Sequence, residues 1–520
     1  MPGSGPAAGM TVRSPLRTVV DMLTPTPFER VAAGGPARLP AAGETVPAGP
    51  GPMVRRHAGR LWMRHRLFVL LLGAGTALRI AAFAAYWPAL EFYGDSYSYL
   101  RCVRELSPDP VRPFGYSAFL FLFSWSPSLA VVPAVAHLLG LGIGSALYYL
   151  ALRRGLPRWL AASAAAPVLL DAYQVDIEQM VMAETVFAAL LTAAVVLLLY
   201  RPRPTVAVSA AAGVLLAAAA LTRSVALVLG ALAAGYLIAR GAGARRLIVF
   251  VLCWAAPLLA YAAWFAAVHG SFALQNVDGM FLWGRVAPFA DCARIEVAPR
   301  EVPLCSPHPP EERPGPNYYD WDAASPRYHF RAFDAESNAL LRDFAVKVIA
   351  AQPHRYAALV AHDVLHYFAL SRHAEPPDWY LGSWRFPTGR VDPRWHIDLV
   401  LRDFRGEAVP RRYDPSLGGL LRGYQVFGFT PGPLLGACVL VGGLASMVAS
   451  GYGLARARHD CLLLVAMGLA LLVVPCATAV FDYRYLLPAL VCLPLAGAFG
   501  LNQLRIVRLQ LRGVRRRSIG

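Results

Sequence analysis

The sequence lacks several patterns that mark nucleotide-binding and zinc-binding proteins. It has no CxxC pair and no His/Cys spacing of the zinc-finger type, which argues against a structural zinc module. Its Gly140-x-Gly142-x-Gly144 run follows no predicted strand, so it indicates close helix packing rather than a phosphate-binding loop. The first apolar run comes after residue 60 and no small-residue cleavage site follows it, so no signal peptide is predicted.

Lysine is almost absent as well. Lys347 is the single lysine among 49 basic residues, and this bias, together with the abundant alanine, is typical of a GC-rich bacterial genome. The net charge of +17 would suit a nucleic-acid partner, but the arginines lie in short loops between apolar runs, as the positive-inside rule requires. We therefore expect no nucleic-acid partner.

Hydrophobic residues make up 57% of the chain, and its mean hydropathy is +0.45. Soluble domains are about 45–50% apolar, so this composition predicts a membrane protein. Ten apolar runs predict about ten transmembrane helices, at residues 67–87, 129–150, 159–170, 180–200, 206–221, 225–238, 247–268, 433–449, 462–480 and 486–501. The predicted fold class is an all-α polytopic protein of the bacterial plasma membrane.

The charges between these runs predict the orientation of the chain. Alternate loops are rich in arginine, which places them in the cytoplasm together with both termini. The predicted organisation is a disordered cytoplasmic tail at 1–60, seven helices at 61–268 with a first outer loop at 88–119, an extracytoplasmic cap loop at 269–428, three helices at 429–505 and a basic cytoplasmic tail at 506–520. The isolated polar groups then gather on the outer side, which favours a functional site there.

The first outer loop contains the leading catalytic candidate, Asp95. A carboxylate at an outer membrane boundary can deprotonate a hydroxyl or help to hold a divalent cation. The alternative is a helix N-cap, since Asp95 directly precedes Ser-Tyr-Ser-Tyr-Leu. Glu91 is a weaker second carboxylate, because it equally suits the polar end of the first span.

Three arginines, Arg112, Arg223 and Arg484, lie at predicted outer boundaries. Guanidinium binds phosphate in a bidentate manner, and three such groups on one face favour phosphate binding over snorkelling, the usual alternative for each. Glu184 lies about one turn inside the fourth apolar run. Because burial without a partner is costly, we expect Glu184 near Arg223 or a substrate cavity.

Two further features leave alternatives open. His362 and His366 have the i, i+4 spacing of two metal ligands on one helix face, with Asp363 between them, but an amphipathic helix on the membrane surface explains the pattern more simply. Cys292 and Cys305 share the predicted cap loop, where a local disulfide and two free thiols are equally compatible with the sequence.

In the segments around Asp95 and the three outer arginines, the chain resembles the GT-C superfamily, the membrane glycosyltransferases that use polyprenyl-phosphate sugars. Within that superfamily it most resembles the branch of protein O-mannosyltransferases and lipid A aminoarabinose transferases. The likeness rests on short islands within residues 61–505, namely Gly94-Asp95-Ser96 with Tyr97 and Tyr99, Arg112-Pro113-Phe114-Gly115-Tyr116, Ala183-Glu184, Leu221-Thr222-Arg223 and Asp482-Tyr483-Arg484-Tyr485. Ser96 stands where the family often has a second acidic residue, and Phe114 and Ser117 stand where it has prolines.

The resemblance implies sugar transfer from a polyprenyl-phosphate donor in the membrane lipid to a hydroxyl of a glycan, lipid or protein acceptor on the outer face. It makes Asp95 the catalytic carboxylate and leaves a divalent metal ion there as an open question. It assigns substrate binding to Glu91, Tyr97, Arg112, Tyr116, Glu184, Arg223, Arg484 and Tyr485.

Two other functions compete with this interpretation. A lipid-linked sugar flippase or polysaccharide transporter needs polar residues at mid-membrane depth in several helices, whereas here they gather at one boundary. An O-antigen-ligase-like enzyme also has a large outer loop, but its donor is linked through a diphosphate.

Overall fold

The computed structural model describes residues 52–306, 308–331, 333–375, 381–391, 411–448 and 455–517. The chain divides into two compact units, Met1–Ala58 and Gly59–Gly520, and all contacts below lie within the second. Of the predicted terminal tails, residues 1–51 and 518–520 lie outside the described residues, and so do parts of the predicted cap loop. The first helix already begins at Pro52, within the segment predicted to be disordered.

The N-terminal half of the described chain is almost entirely helical. Its helices are α1 (Pro52–Ala85), α2 (Tyr93–Glu105), α3 (Gly115–Phe121), α4 (Val131–Arg153), α5 (Arg158–Leu170), α6 (Ala172–Gln179), α7 (Glu184–Tyr200), α8 (Val206–Thr222), α9 (Ala226–Ala239) and α10 (Ala244–His269). The two short helices α2 and α3 lie in the predicted first outer loop, which is therefore ordered by its own backbone hydrogen bonds.

The predicted cap loop contains shorter elements. Its helices are α11 (Asp278–Val286), α12 (Pro316–Trp321), α13 (Ala335–Ala351), α14 (Pro353–His366) and α15 (Pro415–Gln425), with 3₁₀ turns at Cys292–Arg294, Pro299–Leu304, Pro310–Glu312, Pro326–His329 and Leu381–Trp384. Strand β2 (Arg412–Tyr413) pairs antiparallel with β1 (Tyr86–Trp87), which follows α1 directly. This pairing joins the end of the cap loop to the start of the first outer loop.

The C-terminal part completes the helical body. Helices α16 (Gly432–Val448), α17 (Ala455–Thr478) and α18 (Leu486–Arg517) follow the cap loop, with a 3₁₀ turn at Tyr483–Tyr485 before α18. Helix α18 packs against α16, α17 and α5. In the span Tyr483–Leu511, 83% of the apolar window is buried, against 17% in Met63–Ala85, so α18 is central and α1 peripheral.

Each of the ten predicted spans coincides with an apolar helix. Five helices of the described chain are long and apolar enough to cross a membrane, namely Met63–Ala85, Val131–Arg153, Ala244–His269, Arg456–Thr478 and Tyr483–Leu511. The other five predicted spans are shorter apolar helices, Arg158–Leu170, Glu184–Tyr200, Val206–Thr222, Ala226–Ala239 and Gly432–Val448. The structure agrees with the predicted all-α class of membrane protein. The count of ten membrane crossings stays a prediction.

A buried polar network of Arg79, His137 and Glu178 joins α1, α4 and α6. Arg79 Nε and Nη2 each donate to Glu178 at 2.8 Å, and His137 Nδ1 lies 3.0 Å from the same carboxylate. Arg79 also donates to the carbonyl of Leu169 at 2.8 Å, near the C-terminal end of α5. Arg79 and Glu178 are at most 2% exposed, so this is a closed structural contact between helices.

The glycines of α4 make room for this network. A Cβ on Gly140 would come within 2.1 Å of Glu178 Oε1, and one on Gly144 within 2.5 Å of the Leu169 side chain. No atom lies within 4 Å of the corresponding position on Gly142. The predicted close helix packing is confirmed at the first and third glycines.

The cap loop has a hydrophobic core of its own. Trp283 on α11 packs with Phe344 and Val348 on α13, and all three side chains are fully buried. Cys292 and Cys305 form a disulfide in the connecting segment, which resolves the alternative left open by the sequence. The sequence pattern near residues 333–350 and 353–370 predicts two helices in this loop, and the structure has them as α13 and α14.

Candidate functional site

Asp95 lies in the first turn of α2, but it does not cap that helix. The N-cap position is Phe92, whose backbone N–H donates to Ser96 Oγ at 2.9 Å. Both oxygens of Asp95 accept instead from arginines, Oδ1 from Arg112 and Oδ2 from Arg484 Nη1 at 2.7 Å. The N-cap alternative is therefore wrong, and Asp95 bridges two residues that are far apart in the sequence.

Arg112 is held by the turn that precedes it. Asp109 Oδ1 accepts the backbone N–H groups of Val111 at 2.8 Å and Arg112 at 3.0 Å, and its Oδ2 accepts from Arg101 at 2.7 Å. This Asx-type turn fixes the chain direction before α3. The Arg112 guanidinium then reaches back to α2, where it also donates to Ser98 Oγ at 3.2 Å.

Arg484 links the two carboxylates of the site. It lies in the 3₁₀ turn Tyr483–Tyr485, whose first N–H groups are capped by Asp482, with Arg484 N donating to Asp482 Oδ1 at 3.0 Å. Its Nη1 lies 3.9 Å from Glu184 Oε1 as well as 2.7 Å from Asp95. One guanidinium thus contacts α2, the start of α7 and the turn that begins the central helix.

Glu184 is paired as the sequence predicts. It is the first residue of α7, is 1% exposed, and forms an ion pair with Arg223, the residue that ends α8. Gly115 at the start of α3 allows this end of α8 to approach, since a Cβ there would meet the Leu221 carbonyl at 2.5 Å. The predicted first outer loop is therefore in direct contact with the turn that positions Arg223.

These contacts form a continuous chain of charges, Arg112–Asp95–Arg484–Glu184–Arg223, which we call the arginine–carboxylate cluster. Its members come from five separate parts of the sequence. Aromatic side chains line it: the Arg484 guanidinium lies 5.1 Å from the ring centroid of Tyr485, 5.2 Å from Trp384 and 5.5 Å from Phe92. Arg223 lies 5.1 Å from the same Tyr485 ring.

Two carboxyl groups of this region have opposite pKa shifts. Burial by itself raises the pKa of Asp95, but the charges and hydrogen bonds of Arg112 and Arg484 outweigh it and lower the pKa to about 2. Burial raises the pKa of Asp482 to about 6, because Arg484 only partly offsets the loss of water. At neutral pH Asp95 is therefore a carboxylate, while the pKa of Asp482 lies much closer to neutral pH.

Of the predicted substrate-binding residues, Tyr485 lines the arginine–carboxylate cluster, and three others neither belong to it nor line it. Glu91 forms an ion pair with Arg411 of the cap loop at 2.6 Å. Tyr116 is 1% exposed and packs edge-on against Tyr99, with 4.7 Å between the ring centroids. The guanidinium of Arg101 lies over the Tyr97 ring, with 5.8 Å between the guanidinium carbon and the ring centroid. These contacts indicate packing and loop attachment rather than direct contact with a phosphate.

A divalent cation does not fit at Asp95 in this arrangement. Both carboxylate oxygens already accept from guanidinium groups, and Glu184 faces two further arginine contacts. A cation bound between Asp95 and Glu184 would lie beside Arg484, where like-charge repulsion opposes it. We therefore derive no chemical step through a metal ion at this position.

The sequence interpretation did not identify Asp109, and it named Asp482 only as part of the island that contains Arg484. Asp109 orients Arg112 through the backbone, and Asp482 caps the turn of Arg484. The Ser-Pro-Asp-Pro composition before Arg112 is a turn signal, so the position of Asp109 was open to prediction. The predicted His362 and His366 pair has ring centroids 6.3 Å apart, and Asp363 between them pairs with Arg285 at 2.6 Å.

Comparison with known proteins adds little to this geometry. No family model and no curated protein matches the chain. Among solved structures, the chain is similar to the archaeal oligosaccharyltransferase AglB from Archaeoglobus fulgidus, solved in complex with an inhibitory peptide and a dolichol-phosphate, at 12% identity and a TM-score of 0.37. The match covers 89% of this chain and 52% of AglB, so the chain spans about half the length of that protein. A likeness this distant does not establish a shared family.

Proposed function

We propose that the protein is a membrane glycosyltransferase that moves a sugar from a polyprenyl-phosphate donor to an acceptor hydroxyl at the outer face of the membrane. The observation that carries the proposal is the arginine–carboxylate cluster, in which Arg484 contacts Asp95 and Glu184 while Arg112 and Arg223 lie on either side. The resemblance of these sequence islands to the GT-C superfamily supports the same reaction class.

The three arginines suit the phosphate of a lipid-linked donor. Arg223 and Arg484 lie at the ends of apolar helices, and Arg112 reaches the same cluster from the predicted first outer loop. A polyprenyl chain can therefore stay in the lipid while its phosphate reaches guanidinium groups. In the described structure these groups are neutralised by Asp95, Glu184 and Asp482. A phosphate would compete with the carboxylates for Arg484 and its neighbours, and the carboxylates keep the guanidinium groups in place until it enters.

The same competition gives Asp95 a role in catalysis. While Arg112 and Arg484 both contact it, its pKa of about 2 makes it a weak base. When a donor phosphate draws a guanidinium away, the pKa of Asp95 rises toward its ordinary value. Asp95 can then accept the proton of the acceptor hydroxyl. At the same time the hydroxyl oxygen of the acceptor bonds to C1 of the sugar, the bond between C1 and the phosphate oxygen breaks, and polyprenyl phosphate leaves.

A donor panel tests the proposed function. Membranes carrying the full chain are supplied with radiolabelled sugars on polyprenyl phosphate or on polyprenyl diphosphate, together with an envelope extract as the source of acceptors. We expect incorporation from at least one monophosphate donor, and none in matched membranes without the protein. Incorporation from diphosphate donors alone would replace the proposal with a ligase-type enzyme. Protein-dependent movement of the lipid-linked sugar across the bilayer without incorporation would replace it with a flippase.

A further inference from the structure

A second cluster of ligand-type side chains, His366, His373 and Glu375, lies outside the arginine–carboxylate cluster. Their ligand atoms all lie within 4.8 Å of one another. His366 is the last residue of α14, and the other two follow it in the segment that leaves this helix. His366 is buried, Glu375 is half-buried and His373 is exposed, so the cluster opens to one side. We call it the histidine cluster.

Neighbouring contacts hold these residues in place. The His366 ring stacks on Phe481, with centroids 4.5 Å apart and planes 7° apart. Arg372 is 4% exposed, pairs with Asp171 at 2.8 Å and anchors the segment next to His373. The backbone N–H of His373 donates to Tyr483 Oη at 3.4 Å. His366 and His373 are thus held against Phe481 and the turn that also contains Arg484.

A fourth residue lies close to the cluster. His362, one turn before His366 on α14, has its Nε2 3.7 Å from Glu375 Oε2. Asp363 of the helical His-Asp-x-x-His pattern pairs with Arg285 and lies 3.3 Å from His362 Nδ1, so its carboxylate is engaged outside the histidine cluster. Glu375 is the carboxylate that lies beside His366. An imidazole beside a ligating carboxylate is the usual arrangement for an outer-shell partner.

We propose that His366, His373 and Glu375 bind a transition-metal ion of the Zn²⁺ class. Two imidazoles and one carboxylate suit Zn²⁺, whereas Mg²⁺ and Ca²⁺ prefer oxygen ligands. Ligands about 2.0–2.1 Å from a tetrahedral zinc lie about 3.4 Å apart, so the cluster closes by roughly an ångström on binding. The exposed side chain of His373 can supply that movement.

The bound ion would fasten the end of α14 to the turn before α18. His366 and His373 both contact Tyr483, the first residue of this turn, and Arg484 is the next residue. The metal would thus stabilise the position of an arginine without touching the arginine–carboxylate cluster. This site is independent of the proposed function, since it requires only that the chain folds as described.

Cobalt binding tests the site. Untagged full-length protein in detergent is titrated with Co²⁺, whose visible absorption reports tetrahedral nitrogen and oxygen ligands, and Zn²⁺ is then added as a competitor. We expect one equivalent of Co²⁺ that Zn²⁺ displaces, and an affinity at least about 100-fold weaker in His373→Ala and in Glu375→Gln. These two side chains are not fully buried, so both variants are expected to fold.

The matched control is His354→Ala, which removes an exposed histidine from the other end of α14. It is expected to bind Co²⁺ as the wild type does. Two results would overturn the proposal: wild-type protein that takes up no Co²⁺ or Zn²⁺, or His373→Ala and Glu375→Gln proteins that bind with wild-type affinity. Zn²⁺ should also raise the thermal unfolding temperature of the wild type but not that of His373→Ala.

Discussion

Asp95→Asn is expected to lower the rate of sugar transfer about a thousandfold, within the range of about 10²–10⁴ that a general base contributes. The substitution keeps the size of the side chain and removes both its negative charge and its ability to accept a proton. Arg112 and Arg484 would then face a neutral amide in place of the carboxylate that both now contact. Initial rates with a polyprenyl-phosphate donor, at matched protein levels, measure the effect.

Glu336→Gln is the matched control for Asp95→Asn. It also neutralises a carboxylate that pairs with an arginine, but Glu336 and Arg300 are 71% and 74% exposed on the cap loop. Exposed pairs of this kind contribute little, so the transfer rate should stay at the wild-type level. An Asp95→Asn protein that transfers sugar within about threefold of the wild type would remove Asp95 from the mechanism.

Arg79→Leu is expected to lower the free energy of unfolding by about 3–5 kcal/mol, the cost of removing one partner of a buried ion pair. Glu178 is fully buried and would lose both arginine hydrogen bonds, and the carbonyl groups of Val168 and Leu169 would lose a donor. Unfolding in mixed micelles by increasing denaturing detergent measures the change. Because the described hydrogen bonds of Arg79 go to Glu178 and to backbone carbonyls rather than to the arginine–carboxylate cluster, the remaining folded protein should keep its transfer rate.

The double variant Arg79→Leu/Glu178→Leu separates the ion pair from the rest of the network. When both charges are absent, the cost of an unpaired buried carboxylate disappears, so the double variant should be more stable than Arg79→Leu alone. The carbonyls at the end of α5 still lack their donor, so recovery should be incomplete. Equal stability of the single and double variants would show that Arg79 acts through those carbonyls rather than through Glu178.

The helices of this protein could be predicted from the sequence because each is a single apolar run. Runs at 159–170 and 206–221 correspond to α5 and α8 within a residue, although both are short for a full crossing. Helices α13 and α14 were also predictable from local pattern alone. The backbone pairing of Trp87 with Arg412 was not, since nothing in either segment points to the other.

The members of the candidate site were predictable, but their partners were not. Asp95, Arg223 and Glu184 could be chosen because an ionisable group at a membrane boundary is costly. Which carboxylate meets which arginine depends on how distant helix ends pack, as with Asp95 and Arg484, which are 389 residues apart. Glu91 lies in the same loop as Asp95, but it pairs with Arg411 of the cap loop and not with an arginine of the cluster. The sequence alone could not distinguish these two carboxylates by their partners.

Binding of polyprenyl phosphate to the purified protein tests the central claim that the arginine–carboxylate cluster receives a lipid phosphate. Native mass spectrometry from detergent compares the wild type with Arg484→Ala, and Arg300→Ala, an exposed cap arginine, is the control. The account predicts binding by the wild type and the control, and affinity at least about 30-fold weaker in Arg484→Ala, about 2 kcal/mol for one charged contact. Equal affinity in all three proteins would contradict it.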